Sequence, residues 1–388
     1  MMPSGPYRVE IARTAEDVER LKPVWERIPW QREEAAHEYF LTRLKTRQDV
    51  LGPFAVVVSS DDGPVAALAG RLESRQLKTA LGYKVVYAPR VRMLHVVDGG
   101  IVIAEPAALE PLLGALRAAL SSGEADAVGV PPLRVDSQLY AAFGSLGGPL
   151  ERQPLIGTWT RRRLALPGSF EEFVASRSAN TRWRIRRDAK KLEAALGERL
   201  SVEIIREPEG LDRLVTDADR VARSTYQRAL GAGFSDTPEQ RALAAVGLEH
   251  GWIRGYLLYL GADPIAYWLC SIYEGTILIR TAGFDNTYAE HRVGIYLLMR
   301  VVEDACNDPA LRVLDFGPGD AAYKQQFSSE SWEERNRVVF APTFRARRIN
   351  VIRTLILGPV WVVRRILDAT SLTNRVRAHW RKRLRSNH

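Results

Sequence analysis

Hydrophobic and polar positions along the chain fall into two series built on the same plan. In the second series the alternating segment "SVEIIRE" (201–207) predicts a strand. Helical spacing covers about 209–229 and 237–250, and three apolar strands follow at 252–260, 264–273 and 276–284, separated by "GADP" and "YEGT" turns. In "RVGIYLLMRVVEDACN" the residues Ile295, Leu298, Met299, Val302, Ala305 and Cys306 share one face of a helix. "LRVLDFG" then predicts a strand, "AAYKQQF" a short helix and "WEERNRVVFAP" a closing strand. The first series runs through "YRVEIA", helices near 14–29 and 34–46, strands at 53–60, 65–72, 83–88, 91–97 and 100–104, a helix at 106–121, the strand "ADAVGV", a helix near 136–144 and the strand "LIGTWTRRRLAL".

The stretches "FAVVVSSDDGPVAALAG" (54–70) and "GYLLYLGADPIAYWLCS" (255–271) share an apolar strand, an Asp and Pro turn and a second strand, so the order of elements points to a tandem duplication. Pro167 and Gly168 punctuate the junction. The predicted division is 1–165 for the first half, 166–344 for the second and 345–388 for a tail.

Composition narrows the function classes. With 46% hydrophobic and 26% charged residues the chain has the makeup of a two-domain globular protein. Cys270 and Cys306 sit in apolar stretches and predict core positions, not a disulfide framework. The six histidines never take metal-ligand spacing, so no metal is expected. No segment has the length of a spanning helix and the first residues lack a signal-peptide core, which predicts a cytoplasmic protein. The net charge of +9 belongs to the tail: from Arg345 onward twelve Lys or Arg face one acid, Asp368. The segment 170–196 is a second basic stretch, either a solvated connecting helix or a substrate contact in which Arg182, Arg184, Arg186, Arg187, Lys190 and Lys191 meet an anionic ligand.

The stretch "RVLDFGPGDAAYKQQF" (312–327) carries the candidate chemistry. A nucleoside-binding loop of a doubly wound sheet needs several further strand and helix units after it, and too little chain follows for that. The run "AGFDNTYAEHRVGIYLLMRVVEDA" followed by "VLDFGPGDAAYKQQF" resembles instead the GNAT-type acyltransferases, and in particular their acetyltransferase subgroup associated with cellulose and exopolysaccharide biosynthesis. These are similar in turn to the Fem-type peptidoglycan aminoacyltransferases, which have two GNAT-like halves. The resemblance covers roughly residues 10–345. It implies an α/β (α+β) fold of tandem GNAT-like halves, each a mixed, mostly antiparallel central sheet flanked by helices. It also implies an acyl-CoA donor, acetyl-CoA or longer; the Fem-type relatives use an aminoacyl-tRNA instead.

Residue by residue, the resemblance assigns the cofactor side to backbone groups of Ala282 and Phe284 and to the turn Arg292, Val293, Gly294 and Ile295. There a helix N-terminus suits a pyrophosphate, Gly294 admits close approach and Arg292 donates to the anion. The family turn carries a second Gly or Ala that "HRVGIY" lacks. Asp285 is a substrate-side candidate or a helix N-cap, and Arg182 and Arg186 are the substrate-binding candidates of the basic segment. Acyl transfer needs a base, oxyanion donors and an acid for the leaving thiolate. Asp315 is the candidate base or acceptor-orienting group, Tyr323 the candidate acid, and Lys324 a candidate oxyanion or phosphate partner. The corresponding first-half stretch has no lysine after its tyrosine and its helix at 106 begins with an acid, so that half is expected to be a scaffold or the acceptor side.

In the tail, Leu372, Val376, Trp380 and Leu384 recur every four residues beside arginines, and "LILGPVWVV" is broken by Gly358 and Pro359. The pattern suits either an amphipathic helix on an anionic membrane surface or a helix packed on the domain. The expected acceptor is a small molecule or glycan or lipid precursor, with nucleic acid entering only as the tRNA of the alternative.

Overall fold

The computed structural model describes residues 7–81, 84–225 and 233–369. The first series of strands is β1 (Arg8–Ala12), β2 (Val50–Pro53), β3 (Ala55–Ser60), β4 (Gly63–Gln76), β5 (Thr79–Leu81), β6 (Lys84–Tyr87), β7 (Arg90–Ile103), β8 (Ala127–Arg134) and β9 (Thr158–Ala165). The second is β10 (Leu200–Ile205), β11 (Ile253–Leu260), β12 (Asp263–Tyr273), β13 (Thr276–Phe284), β14 (Val313–Pro318) and β15 (Glu330–Phe340). All but β5 and β6 join one mixed sheet in the order β1-β3-β4-β7-β8-β15-β9-β14-β13-β12-β11-β10, with β2 on β4. The two stretches expected as separate strands at 91–97 and 100–104 are one strand. Gly99 takes φ +69 inside it, and the opposing register with β4 shifts between Leu68 and Gly70, so the chain continues through an irregularity instead of turning.

Each half contains one parallel pair, β7 with β8 and β13 with β14, and the rest is antiparallel. The halves are interlocked by exchange of their last strands. β9, which ends the first series, pairs antiparallel with β14 of the second, placing Leu164 opposite Leu314. β15, which ends the second, pairs antiparallel with β8 of the first, placing Val339 opposite Val128. The division at 165/166 therefore falls at a strand end, whereas the sheet itself runs on through both halves.

Amphipathic helices cover the sheet as their spacing dictates. The helix Leu109–Ser121 buries Leu112, Leu113, Leu116 and Leu120 over β3 and β4, and Val293–Asn307 buries Leu297, Leu298, Val301 and Val302 over β11, β12 and β13. Each such side chain contributes about 1.5–3 kcal/mol by leaving water. Of the face predicted for the second helix, Ile295 alone is only half-buried, and it turns out to line a cavity. Between the halves, Arg280 donates to Glu33 and Glu34 (3.0 and 2.7 Å) and Arg43 to Glu239 (2.9 Å).

The final helix, Phe344–Ala369, starts by docking on the first half: Ala346 and Ile349 are buried, and Asn350 donates to the carbonyls of Leu150 and Arg152. It runs through Gly358 and Pro359, where a break was expected. Pro359 and Leu355 are both exposed, so the carbonyl that loses its partner faces solvent. The stripe Leu372, Val376, Trp380 and Leu384 lies outside the described residues. Among the described residues no helix is long and apolar enough to cross a membrane.

Candidate active site

The site begins where β13 and β14 part. They pair in parallel only over Thr276–Leu278 with Val313–Asp315. Beyond Leu278, β13 continues to Phe284 while β14 turns toward β9. The opening contains a cavity of about 360 Å³, lined by Ala282, Phe284, Arg292, Gly294, Ile295 and Tyr323, six of the residues singled out in the sequence. Thr225, Trp268, Gly283, Asn286 and Ala289 complete the wall, and none of these was anticipated. Trp268 had a usable signal, an aromatic on an inner strand beside the splay.

The helix Val293–Asn307 points its first turn into this cavity, where the N–H groups of Val293 and Gly294 precede the first intrahelical hydrogen bonds. Arg292 precedes it with φ +55, a left-handed conformation uncommon outside glycine, and its carbonyl accepts from Ile295 and Tyr296. A Cβ on Gly294 would stand 3.0 Å from the Phe284 ring, so glycine is what keeps this wall open. The carbonyl of Gly294 accepts from Trp268 Nε1 at 3.1 Å. Arg292 donates from Nη1 to Asp188 Oδ2 at 2.5 Å, so the basic helix Ala179–Leu196 reaches the cavity through its acid.

Three further groups of expected residues are placed as follows. Val293 is fully buried in the hydrophobic core, because the first helical turn rotates its side chain onto the sheet, so only its backbone belongs to the turn. Asp285 accepts from the Thr287 N–H at 2.9 Å and caps the short helix Asn286–His291, the second of its two expected roles. Arg182 and Arg186 border a separate surface groove with Phe170, Val174 and Ile185. Arg182 is tied to the carbonyls of Ala175 and Arg177, since its helix turns that side outward.

Of the two roles expected for Asp315, that of a base is corrected. It has no exposed surface and accepts from Arg32 Nη2 (3.0 Å), Arg161 Nε (2.9 Å) and Arg163 Nε (2.8 Å), and from the Gly317 N–H (2.9 Å). Burial alone would push its pKa up, but Arg161, Arg32 and Arg163 outweigh that and hold the carboxyl below the ordinary carboxylate range. A carboxylate whose oxygens are filled by guanidinium donors is a poor base, and Asp315 serves instead as the anchor of an arginine cluster.

Tyr323 and Lys324 stand on the helix Ala322–Phe327. The Tyr323 ring is held edge-on between Trp268 (centroids 5.9 Å apart) and Phe316 (6.3 Å). Lys324 is buried at 8% exposure, and its Nζ donates to the carbonyls of Pro318 (2.8 Å) and Gly317 (3.3 Å). Gly317 and Gly319, at φ +70 and +102, allow the turn that presents those carbonyls. Burial pushes the lysine pKa down from 10.5 to about 8, with Arg161 adding to the effect and Asp315 and Asp320 opposing it.

A second cavity, of about 740 Å³, lies between the halves, lined by His95 and Gly129 of the first and Leu278, Arg280 and Pro318 of the second, together with Arg161. It opens where β7 and β8, parallel only over Met93–His95 with Ala127–Gly129, separate in their turn. The segment 317–324 stands between the two cavities, with Pro318 lining one and Tyr323 the other.

Residues 179–325 match the family model described as the Acetyltransferase (GNAT) domain. No curated protein sequence matches the chain. Among solved structures, FemX is similar in fold with a TM-score of 0.54 at 13% identity, over 82% of this chain and 95% of that one. The C-terminal domain (DUF2156) of a protein assigned as lysylphosphatidylglycerol synthetase from Agrobacterium fabrum gives 0.52 at 11% identity, over 88% and 96%. A conserved protein of unknown function from Bacteroides thetaiotaomicron gives 0.50 at 10% identity, over 86% and 100%. The splayed parallel strands and the helix N-terminus facing their gap lie inside the stretch 179–325 that matches the GNAT acetyltransferase domain, and the chain as a whole shares its fold with FemX.

Proposed function

We propose that the chain transfers an acyl group from acyl-CoA to an amine or hydroxyl by direct attack in a ternary complex, with the donor in the cavity between β13 and β14. The observation that carries this is the convergence on one apolar cavity of the Gly294 turn, the β13 edge at Ala282 and Phe284, and the Tyr323 ring. The Arg292 turn and the first helical N–H groups would hold the donor's phosphates and the cavity its thioester arm. The acceptor enters from the inter-half cavity, so the 317–324 segment lies where donor and acceptor meet. The acceptor nitrogen or oxygen attacks the thioester carbonyl, the C–S bond breaks as the new acyl bond forms, and the thiolate takes a proton from Tyr323. Two of the three Nζ protons of charged Lys324 are engaged by carbonyls, leaving one for the oxyanion. The acceptor loses its proton to solvent. A precursor of a cell-surface glycan or lipid is the acceptor class that the sequence resemblance favours.

The test is the pH profile of turnover. Charged Lys324 as oxyanion donor predicts activity falling as pH rises through about 8, and Lys324→Met should remove turnover while leaving donor binding intact. A flat profile, or turnover unchanged in the variant, takes this lysine out of the mechanism. Stability provides a control. Because the folded pKa lies below the ordinary 10.5, the native protein should gain stability as pH rises from about 8 to 10.5, and the Lys324→Met protein should lack that gain.

Transfer from an aminoacyl-tRNA is the second reading. It is supported by the likeness to FemX and by Asp188, which partly neutralises Arg292 at the place a phosphate would occupy. Thermal unfolding with acetyl-CoA, longer acyl-CoAs and aminoacyl-tRNA separates the two donors, since a ligand at about 100 times its Kd stabilises by roughly 2.7 kcal/mol.

We also propose that the tail rests on an anionic membrane surface from the cytoplasmic side. Phe344 and Leu355, 81% and 71% exposed, continue an outward apolar face toward the basic sequence beyond 369. Removing residues 370–388 should abolish binding to vesicles containing phosphatidylglycerol and leave folding intact, whereas removal from 345 would strip buried Ala346 and Ile349 from the core. Undiminished vesicle binding after the shorter deletion would refute the anchor.

A further inference from the structure

Polar groups left without partners around the inter-half cavity define what it is built to hold. Arg161 is only 5% exposed; its Nε and Nη1 are taken by Asp315 and Glu334, and its Nη2 is buried with no hydrogen-bond partner among the described residues. Arg353, 8% exposed, reaches the same cavity from the C-terminal helix. Its Nη1 donates to Leu77 O and Thr79 Oγ1 and its Nε is likewise buried without a partner. Asn336 Oδ1 is a third such atom on the wall. Buried polar groups are rarely left unpaired, so several on one cavity wall point to a polar ligand.

The charge balance gives the ligand its sign. Arg75, Arg161, Arg280 and Arg353 line the cavity against two carboxylates, Glu34 and Asp98. Glu34 is occupied by Arg280 (2.7 Å), and Asp98 stands 4.0 Å from Arg32. His95 adds no charge, because burial pushes its pKa down to about 4 against the pull of Glu73. Arg75 is paired with Glu73 (2.9 Å), Arg161 with Asp315 and Glu334, and Arg280 with Glu33 and Glu34, so the cation of this wall that has no carboxylate partner among the described residues is Arg353, and the wall keeps two orphaned guanidinium N–H groups and one orphaned acceptor.

We infer that this cavity selects an acceptor bearing a carboxylate or phosphate, bound by Arg161 and Arg353, with a hydroxyl or amine of the same molecule donating to Asn336. The inference deepens the acyl-transfer reading and rests on it for the word acceptor; the anion site itself stands on the arginines. It also gives the docked part of the C-terminal helix a role, since Arg353 carries that helix into the cavity wall.

The experiment is calorimetric titration of the full chain with inorganic phosphate and with glutarate, using glucose as the uncharged comparison and sodium chloride to match ionic strength. Saturable binding of phosphate alone assigns a phosphate-bearing acceptor and of glutarate alone a carboxylate-bearing one, and binding of both assigns the anion site common to the two. Arg353→Gln should weaken that binding at least tenfold. A Cβ on Gly157, which lines the cavity, meets no atom within 4 Å, so Gly157→Trp should block the cavity without straining the fold. Stabilisation by acyl-CoA should survive both changes. No saturable binding of either anion, or binding that Gly157→Trp leaves intact, overturns the inference. Anion binding in a protein that ignores every acyl-CoA would instead sink the donor assignment and leave the anion site standing.

Discussion

Asp315→Ala should destabilise the protein by about 3–5 kcal/mol, the usual consequence of removing one partner from a buried ionic group. The carboxylate is fully buried and is the common acceptor for Arg32, Arg161 and Arg163, so its removal leaves three guanidinium groups facing one another. These arginines come from a loop of the first half and from the exchanged strand β9, while Asp315 lies on β14. The loss should therefore loosen the joint between the halves as well as the site. Asp315→Asn tests charge against shape, because it preserves volume and can accept some of the same hydrogen bonds. The pH dependence follows from the depressed pKa. The stabilisation is fully present above the unfolded value of about 3.8 and disappears as pH falls through the lower folded value. Urea unfolding between pH 2 and 7 should show this acid-limb loss in the native protein and a weaker one in Asp315→Asn. A change below about 1 kcal/mol in the alanine variant would mean that the cluster is solvated and contributes as an ordinary surface pair.

Gly294→Leu should weaken acyl-CoA binding by about a hundredfold or more, equivalent to roughly 2.8 kcal/mol, while leaving the fold in place. The new side chain has one direction to go, toward the Phe284 ring and into the 360 Å³ cavity. The residue is half-buried at a helix N-terminus and lies outside the packed stripe of Leu297, Leu298, Val301 and Val302, so the core should not register the change. Calorimetric titration with acetyl-CoA reads the effect directly. Equal affinity in both proteins would place the donor elsewhere. Binding of aminoacyl-tRNA alone, abolished by the same substitution, would keep the cavity and change the donor.

Much of the cavity beside β13 was legible in the chain. Apolar periodicity located β13 and the helix after it, and short-range spacing put the Gly294 turn between them. Ala282, Phe284, Arg292, Gly294 and Ile295 therefore meet because they are neighbours along the chain, joined by a short connection. Their assignment to a cofactor site, like that of Tyr323, came through the resemblance. The same local logic failed for Asp315: an acid at a strand end looks like a base when its surroundings are unknown. The run Arg161, Arg162 and Arg163 on a strand was a missed signal, because alternation must turn at least one of the three inward and a buried guanidinium requires a carboxylate.

What the sequence determined by itself is what depends on contacts close along the chain: the elements, the two-series plan, the splayed-strand turn and the basic character of the tail. What the tertiary structure decided depends on contacts between distant segments. The exchange of β9 and β15 makes one sheet of two halves. Arg32 reaches Asp315 across 283 positions. Lys324 is pulled down to about 8 because the fold buries it beside Arg161. The physical reason is that periodicity reports which face of an element avoids water, whereas the partner that face meets, and the charge and dielectric it finds there, are set only when remote strands come into register.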